Sequence, residues 1–168
     1  MVLTVGCFDV YYSGDRAWAA GIVFVPFPQE RALAQYRLNV AAPAAYVPGQ
    51  FYRRELPCLL HLYFRISETL DLIIIDGYVW LATGKKGLGA HLFSALGAKI
   101  PVIGVAKTYY HGCDCCRPVL RGQSQKPLYV SSAGLDLAVA SELIEHLDGR
   151  YRIPDMLKKV DRLSRGLV

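Results

Sequence analysis

The sequence predicts an α/β protein: a mixed sheet whose first three strands are antiparallel and whose later strands run parallel, flanked by helices. Two patterns carry this expectation. The first third of the 168-residue chain holds three consecutive β-rich segments with short links, the arrangement of an antiparallel meander. The rest alternates segments of helical apolar spacing with short continuous apolar runs, which suit strands buried on both faces. Hydrophobic residues make up 53% of the chain and charged residues 20%, a balance that favours a compact core over disorder. The length suits one domain spanning residues 1–168.

The elements follow in order. Residues 2–12 are apolar and β-rich, and the cluster Ser13-Gly14-Asp15 marks a turn. Residues 18–27 form a second strand, stopped by Pro26 and Pro28, and residues 31–40 alternate loosely as a third. The pattern then changes. Residues 51–66 place Leu56, Leu59, Leu60, Tyr63 and Phe64 at helical spacing. Residues 70–75 are a continuous apolar strand, 87–96 a helix, 101–106 a second buried strand and 127–132 another short strand. Residues 135–147 form a helix with Leu137, Ala140, Leu143 and Ile144 on one side, and a basic helix over 154–165 ends the chain. This order is also the ribonuclease H-like order.

No run reaches the ~18 uninterrupted apolar residues of a membrane helix. Residues 1–8 lack the basic start and long apolar stretch of a signal peptide, so a soluble, cytoplasmic protein is expected. A net charge of +5 hints at a polyanionic partner, because Lys and Arg neutralise phosphates. Five cysteines are unevenly spaced, which argues against a secreted disulfide framework. Cys7 and Cys58 sit in apolar segments and read as small buried hydrophobes.

Three acids stand where apolar residues are expected. Asp9 lies inside the first strand, Asp76 ends the run Leu72-Ile73-Ile74-Ile75, and Glu55 falls in the first turns of the helix after Gln50. Burying a carboxylate costs several kcal/mol unless it is paired or bound to metal. Phosphodiester hydrolysis supplies a reason to place them there. Mg²⁺ takes oxygen ligands and keeps several waters, so a few carboxylates and a substrate phosphate complete its shell. The plainer reading of each acid alone is a cap or a salt-bridge partner. For Asp76, followed by Gly77 at a strand end, the functional reading stands level with it.

The segment Tyr46-Val47-Pro48-Gly49-Gln50-Phe51-Tyr52-Arg53-Arg54-Glu55-Leu56-Pro57 resembles the Tyr-x-Pro-Gly-x-x-x-x-Arg-Glu-x-Pro signature of the endonuclease V family. Further pieces follow in order: Asp76-Gly77, Gly87-Leu88-Gly89-Ala90-His91-Leu92, Gly104-Val105-Ala106-Lys107, Pro127-Leu128-Tyr129-Val130-Ser131, and Tyr151-Arg152-Ile153-Pro154 followed by Asp161. The resemblance implies a ribonuclease H-like fold and an endonuclease that recognises deoxyinosine and cuts on its 3′ side, one nucleotide beyond the lesion. It implies Mg²⁺ as cofactor, with Mn²⁺ as a substitute, and inosine-containing DNA as partner, with RNA as an alternative.

By the same resemblance Asp9, Glu55 and Asp76 form the metal site, Asp161 takes a metal-proximal position, and Lys107 faces the reacting phosphate. Tyr46, Val47, Pro48 and Gly49 match the wedge that displaces the target base. Backbone near Gly49, Gly77 and Gly104 is implied to line the base pocket. The wedge has a physical rationale: Pro48 stiffens it, Gly49 allows close approach, and Tyr46 offers a stacking face worth ~1–3 kcal/mol per base. Lys85 and Lys86 are read as phosphate contacts, against the plainer reading of a solvated basic turn.

The chain also departs from the family. Ala82 stands where a histidine is common, which puts catalytic rate in question. Asp9 comes early, so the helical N-terminal extension is expected to be absent. Tyr78 and Trp80 are candidates for stacking on nucleic acid, Trp80 equally for the core. His111, Cys113, Cys115 and Cys116 are a candidate zinc set, but a flexible loop or a Cys113–Cys115 or intermolecular disulfide is favoured. His61 and His91 are read as packing residues and His146 as a helix C-terminal partner. A monomer is expected. Two alternatives to the DNA nuclease stay open: an inosine-specific endoribonuclease, and a weakly catalytic nucleic-acid-binding homologue. Discrimination between DNA and RNA rests on 2′-hydroxyl contacts that sequence does not reveal.

Overall fold

In the computed structural model, which describes residues 1–41 and 45–167, the three N-terminal segments form the meander. β1 (Val5–Ser13) pairs antiparallel with β2 (Arg16–Val25), and β2 with β3 (Arg31–Ala41). Helix α1 (Tyr52–Tyr63) then crosses one face of the sheet. β4 (Leu72–Asp76) returns parallel to β1, and β7 (Val102–Ala106) runs parallel to β4, with α2 (Leu88–Ala95) between them. A small hairpin, β5 (Trp80–Ala82) and β6 (Lys85–Lys86), forms a separate two-stranded sheet in that connection. β8 (Arg117–Val119), β9 (Leu128–Ala133), α3 (Leu137–His146) and α4 (Asp155–Ser164) complete the order. The seven-stranded sheet reads β3-β2-β1-β4-β7-β9-β8.

Parallel pairing therefore stops at β7. β9 runs antiparallel to β7, and β8 antiparallel to β9. The reason is the connection: a parallel return needs a crossover, usually helical, and none of residues 107–127 is helical. The hairpin and β8 were not expected from the sequence, since two or three residues show no periodicity. Among the described residues no helix is long and apolar enough to cross a membrane.

Strand alternation divides the core into two layers. Val5 and Cys7, Leu72 and Ile74, and Ile103 and Val105 share one layer with Ala140 and Ile144 of α3 and Met156 and Val160 of α4. Phe8, Ile73, Ile75 and Val102 share the other with Cys58, Leu59 and Leu62 of α1 and Leu92 of α2. The continuous apolar runs of β4 and β7 are thus explained, because both their faces are covered.

The same alternation places the acids. Counting by twos, Asp9 follows Val5 and Cys7, Asp76 follows Leu72 and Ile74, and Lys107 follows Ile103 and Val105, so all three fall on the α4 side. The parallel register pairs Phe8 with Ile75, which puts Asp9 and Asp76 abreast at the carboxyl ends of neighbouring strands. Adjacent strands lie about 4.8 Å apart. Glu55 approaches this end from α1, on the opposite face.

Candidate active site

A narrow cleft at the carboxyl ends of the central strands is lined by Asp9, Asp76, Lys107 and Asp161, with Cys7, Phe8, Leu157 and Val160 as its apolar walls. Lys107 Nζ donates to Asp76 Oδ2 at 3.2 Å. Both side chains are about half exposed, so this ion pair is weak and can open. Asp161 projects from α4, where its Oδ1 accepts from Arg165 Nε at 3.1 Å. The Arg165 guanidinium also lies 4.8 Å over the Tyr11 ring.

Ser164 is the member that sequence reading missed. It is fully buried on the last turn of α4, with its Oγ 3.0 Å from Asp9 Oδ2 and 2.7 Å from Asp161 O. A hydroxyl has one proton to give, so these two acceptors share it. The signal was present as the spacing Asp161-x-x-Ser164, since residues three apart share a helix face. Arg37 fixes this turn: its Nε and Nη2 both lie 3.3 Å from Ser164 O while its guanidinium stacks 3.7 Å above Trp18.

The acids repel one another where water is scarce. Burial raises the Asp9 carboxyl from 3.8 to about 6, with the Asp76 charge adding and the Ser164 hydrogen bond opposing. Burial raises Glu55 further, from 4.5 to about 8, and the charges of Asp9 and Asp76 add to it. Glu55 is 8% exposed, and its Oε2 has no hydrogen-bond partner among the described residues. Arg54 offers only partial relief, because its guanidinium lies 3.9 Å over the Tyr12 ring and its Nε is unpartnered too. Among the described residues no three His, Cys, Asp or Glu side chains close on one point tightly enough to hold a metal unaided.

A second cavity, of about 270 Å³, adjoins the cleft. Gly49, Tyr52, Gly77, Tyr78, Lys85, Lys86 and Tyr110 border it, and Asp76 belongs to both cavities. The segment Tyr46-Val47-Pro48-Gly49 stands at its mouth as an exposed turn, with Gln50 N–H donating to Val47 O at 3.0 Å. Gly49 adopts φ +75°, which residues with a Cβ rarely tolerate. Tyr46 is 59% exposed and Val47 41%, so this segment turns apolar surface to solvent. Lys85 Nζ donates to Tyr110 OH at 3.1 Å and Lys86 Nζ to Ser94 Oγ at 3.2 Å.

Several expectations are corrected here. Gly104 does not line the cavity. It is buried within β7, and a Cβ there would lie 2.5 Å from Gly77 O and 2.8 Å from Val79 N. It acts from beneath, by letting the loop after Asp76 rest on the strand. Trp80 does not stack outward, since its Nε1 donates to Ser132 O at 3.0 Å. Tyr78 is tied down as well, donating through its hydroxyl to Thr108 O at 2.8 Å and accepting from Tyr110 N–H at 2.9 Å. His111 and the nearby cysteines form no metal-holding cluster, and all five cysteines are free thiols. That loop is anchored instead by Asp114, which accepts from Thr83 N–H at 2.7 Å and from its hydroxyl at 2.8 Å. His91 packs as expected, its ring stacked 3.7 Å from that of Tyr52.

A family model for endonuclease V matches residues 2–119. The chain is 32% identical to endonuclease V of Rhodospirillum centenum, across 98% of this chain and 78% of that protein. It is 28% identical to endonuclease V of Alkalilimnicola ehrlichii, across 90% and 74%. Among solved structures it resembles endonuclease V of Streptomyces avermitilis at 28% identity, with a TM-score of 0.83 over 98% of this chain and 81% of that one. Endonuclease V of Ciona intestinalis, bound to DNA containing an inosine, shares the fold with a TM-score of 0.83 at 20% identity, over 98% and 85%. The fold is ribonuclease H-like.

Proposed function

The chain belongs to the endonuclease V family, and from that premise we propose that it is a divalent-metal-dependent endonuclease that recognises deoxyinosine and hydrolyses a phosphodiester on its 3′ side, one nucleotide beyond the lesion. The observation that carries the reading is Asp76, which borders both the acid cleft and the cavity behind the Tyr46 turn. A base held in the cavity brings its own strand across the acids.

The donor set fits Mg²⁺. Asp9 and Asp76 stand abreast, and Glu55 Oε2 is buried without a hydrogen-bond partner among the described residues, a condition that Arg54 relieves only in part and that a cation would relieve. Two carboxylates with water and substrate phosphate suffice for this ion, so the lack of a closed protein cage agrees with it. When bound, Mg²⁺ activates a water and stabilises the leaving oxygen. Asp9, Glu55 and Asp76 would hold it, with Asp161 alongside.

The remaining roles belong to the chain. Lys107 swings from Asp76 to the non-bridging oxygens and offsets the charge that grows on the phosphorus centre. Tyr46 and Val47 enter the duplex, where Pro48 keeps the turn stiff and Tyr46 replaces the stacking of the extracted base. Extraction costs a few kcal/mol, least for an ill-paired base, so inosine is favoured before any pocket contact forms. Gly49 and Gly77 let backbone approach the base, and Lys85 and Lys86 meet the flanking phosphates. The test is incubation of end-labelled duplexes, with and without a single inosine, in Mg²⁺ or EDTA. Cutting of the inosine duplex alone, one nucleotide 3′ of the lesion and only with metal, is expected. Equal cutting of both duplexes, or cutting in EDTA, refutes the reading. An inosine-containing RNA in the same assay distinguishes the endoribonuclease alternative.

A further inference from the structure

We infer that Arg152 is a positioning residue for Lys107, fixing the main chain from which that lysine reaches the reacting phosphate. The inference rests on the role given to Lys107 above.

The ladder between β7 and β9 ends where Ala106 faces Tyr129. Beyond it the two chains part, and the carbonyls of Lys107 and Pro127 lose their strand partners. Arg152 Nη2 donates to both, to Lys107 O and, at 2.9 Å, to Pro127 O. One guanidinium nitrogen carries two hydrogens in a fixed plane, so a single group staples both carbonyls. From the other side, Tyr78 OH holds Thr108 O at 2.8 Å. Lys107 thus leaves the sheet between two clamps, one from the α3–α4 connection and one from the loop that follows Asp76.

Arg152 is itself held. Arg121 Nη1 lies 2.9 Å from Tyr151 O and 3.3 Å from Arg152 O, so one guanidinium orders the backbone that bears the next. Arg152 forms no salt bridge among the described residues, and its Nε is buried and unpartnered. Its polar contacts are the carbonyls of Lys107, which lines the acid cleft, and of Pro127, just before β9, which is the pattern of a group that sets geometry.

The test is a double-mutant cycle on cleavage of an inosine duplex, with Arg152→Ala, Lys107→Ala and the double variant, each checked by thermal melting. Arg152→Ala is expected to lower kcat on the order of 10²-fold, the effect of a displacement near 1 Å, with KM little changed. The double variant is expected to fall no further than Lys107→Ala alone, because the staple has nothing left to place. Losses that multiply in the double variant, or a loss confined to KM, overturn the inference and leave the role of Lys107 intact. Full activity of Lys107→Ala overturns both. If Arg152→Ala does not fold, the same cycle with Arg152→Lys, which keeps the charge on a shorter arm, decides by the same criterion.

Discussion

Arg121 and Glu55 are almost equally buried, at 5% and 8% exposure, yet their surroundings differ. Arg121 lies under the α3–α4 connection. Its Nε donates to Glu145 O at 3.3 Å, its Nη1 to Tyr151 O and Arg152 O, and its Nη2 to Leu147 O and Gly149 O. The donors of the guanidinium are met by main-chain oxygens, so the charge is stabilised although no carboxylate among the described residues touches it. Glu55 has an oxygen with no hydrogen-bond partner among the described residues, two acidic neighbours and a carboxyl pushed up to about 8. A buried charge that the fold has satisfied describes architecture. A buried acid that the fold has left unsatisfied is what the proposed cation would compensate. The charge pattern alone does not separate these cases; the partner atoms do.

The largest effect is expected at Asp76. Asp76→Asn keeps the shape and removes the charge, and metal-dependent cleavage is expected to fall by roughly 10³-fold or more, given several kcal/mol of metal-derived stabilisation. Binding of the inosine duplex, followed by gel shift, should be largely kept. Undiminished nicking by this variant would remove Asp76 from the metal site.

Arg121→Met tests the satisfied side. It strands several buried carbonyls at once, each worth ~1–3 kcal/mol before water enters, so a loss of about 3 kcal/mol in unfolding free energy is expected in urea titrations. A change below about 0.5 kcal/mol, the range of ordinary surface substitutions, would show that the knot is dispensable.

A third test uses pH on the metal-free protein. The carboxyls of Glu55 and Asp9 bind their protons more tightly folded than unfolded, with folded values of about 8 and about 6 against 4.5 and 3.8. Stability is therefore highest at low pH from these groups, and falls as pH rises, through about 4 to 6 for Asp9 and about 4.5 to 8 for Glu55. A drop of several kcal/mol is expected across that window, since each pH unit by which a carboxyl is raised is worth ~1.4 kcal/mol, and it should be smaller in Glu55→Gln and smaller again with Mg²⁺ present. A flat profile without metal would mean that the acids are already compensated.

The smallest effect is expected at Ser164, which supplies the acid cleft with one of its few native partners. Ser164→Ala should weaken Mn²⁺ binding by about tenfold in calorimetry, the lower end for a group that orients a metal ligand. Unchanged affinity would make the hydroxyl a helix cap for Asp161 O and no more.

The elements of the central sheet were legible because burial on both faces writes itself as unbroken apolar runs, and α1 because its apolar residues recur at helical spacing. Asp9 and Asp76 were legible for the complementary reason, as acids interrupting those runs. The β5–β6 hairpin and β8 were not, since neither is long enough for a period to show. Arg121 was not, because its meaning lies in contacts 24–31 residues away, and for Ser164 the spacing from Asp161 shows a shared helix face but not the Asp9 carboxylate 155 residues away. Gly104 was read as near the base, but proximity in a motif does not say which side of a strand faces the ligand.

That glycine has a consequence for anyone wishing to retune the protein. With Gly77 O only 2.5 Å from where a Cβ on Gly104 would sit, and Tyr78 O 2.6 Å from where one on Gly87 would sit, the floor beneath the cavity admits no side chain at these two positions without moving the loop that follows Asp76. Tyr46, Val47 and Lys85 are exposed, and Gly49 and Lys85 border the cavity. On the proposed function, a library aimed at other bases diversifies the rim and leaves the floor untouched, so that each variant explores selectivity while keeping the Asp76 end intact.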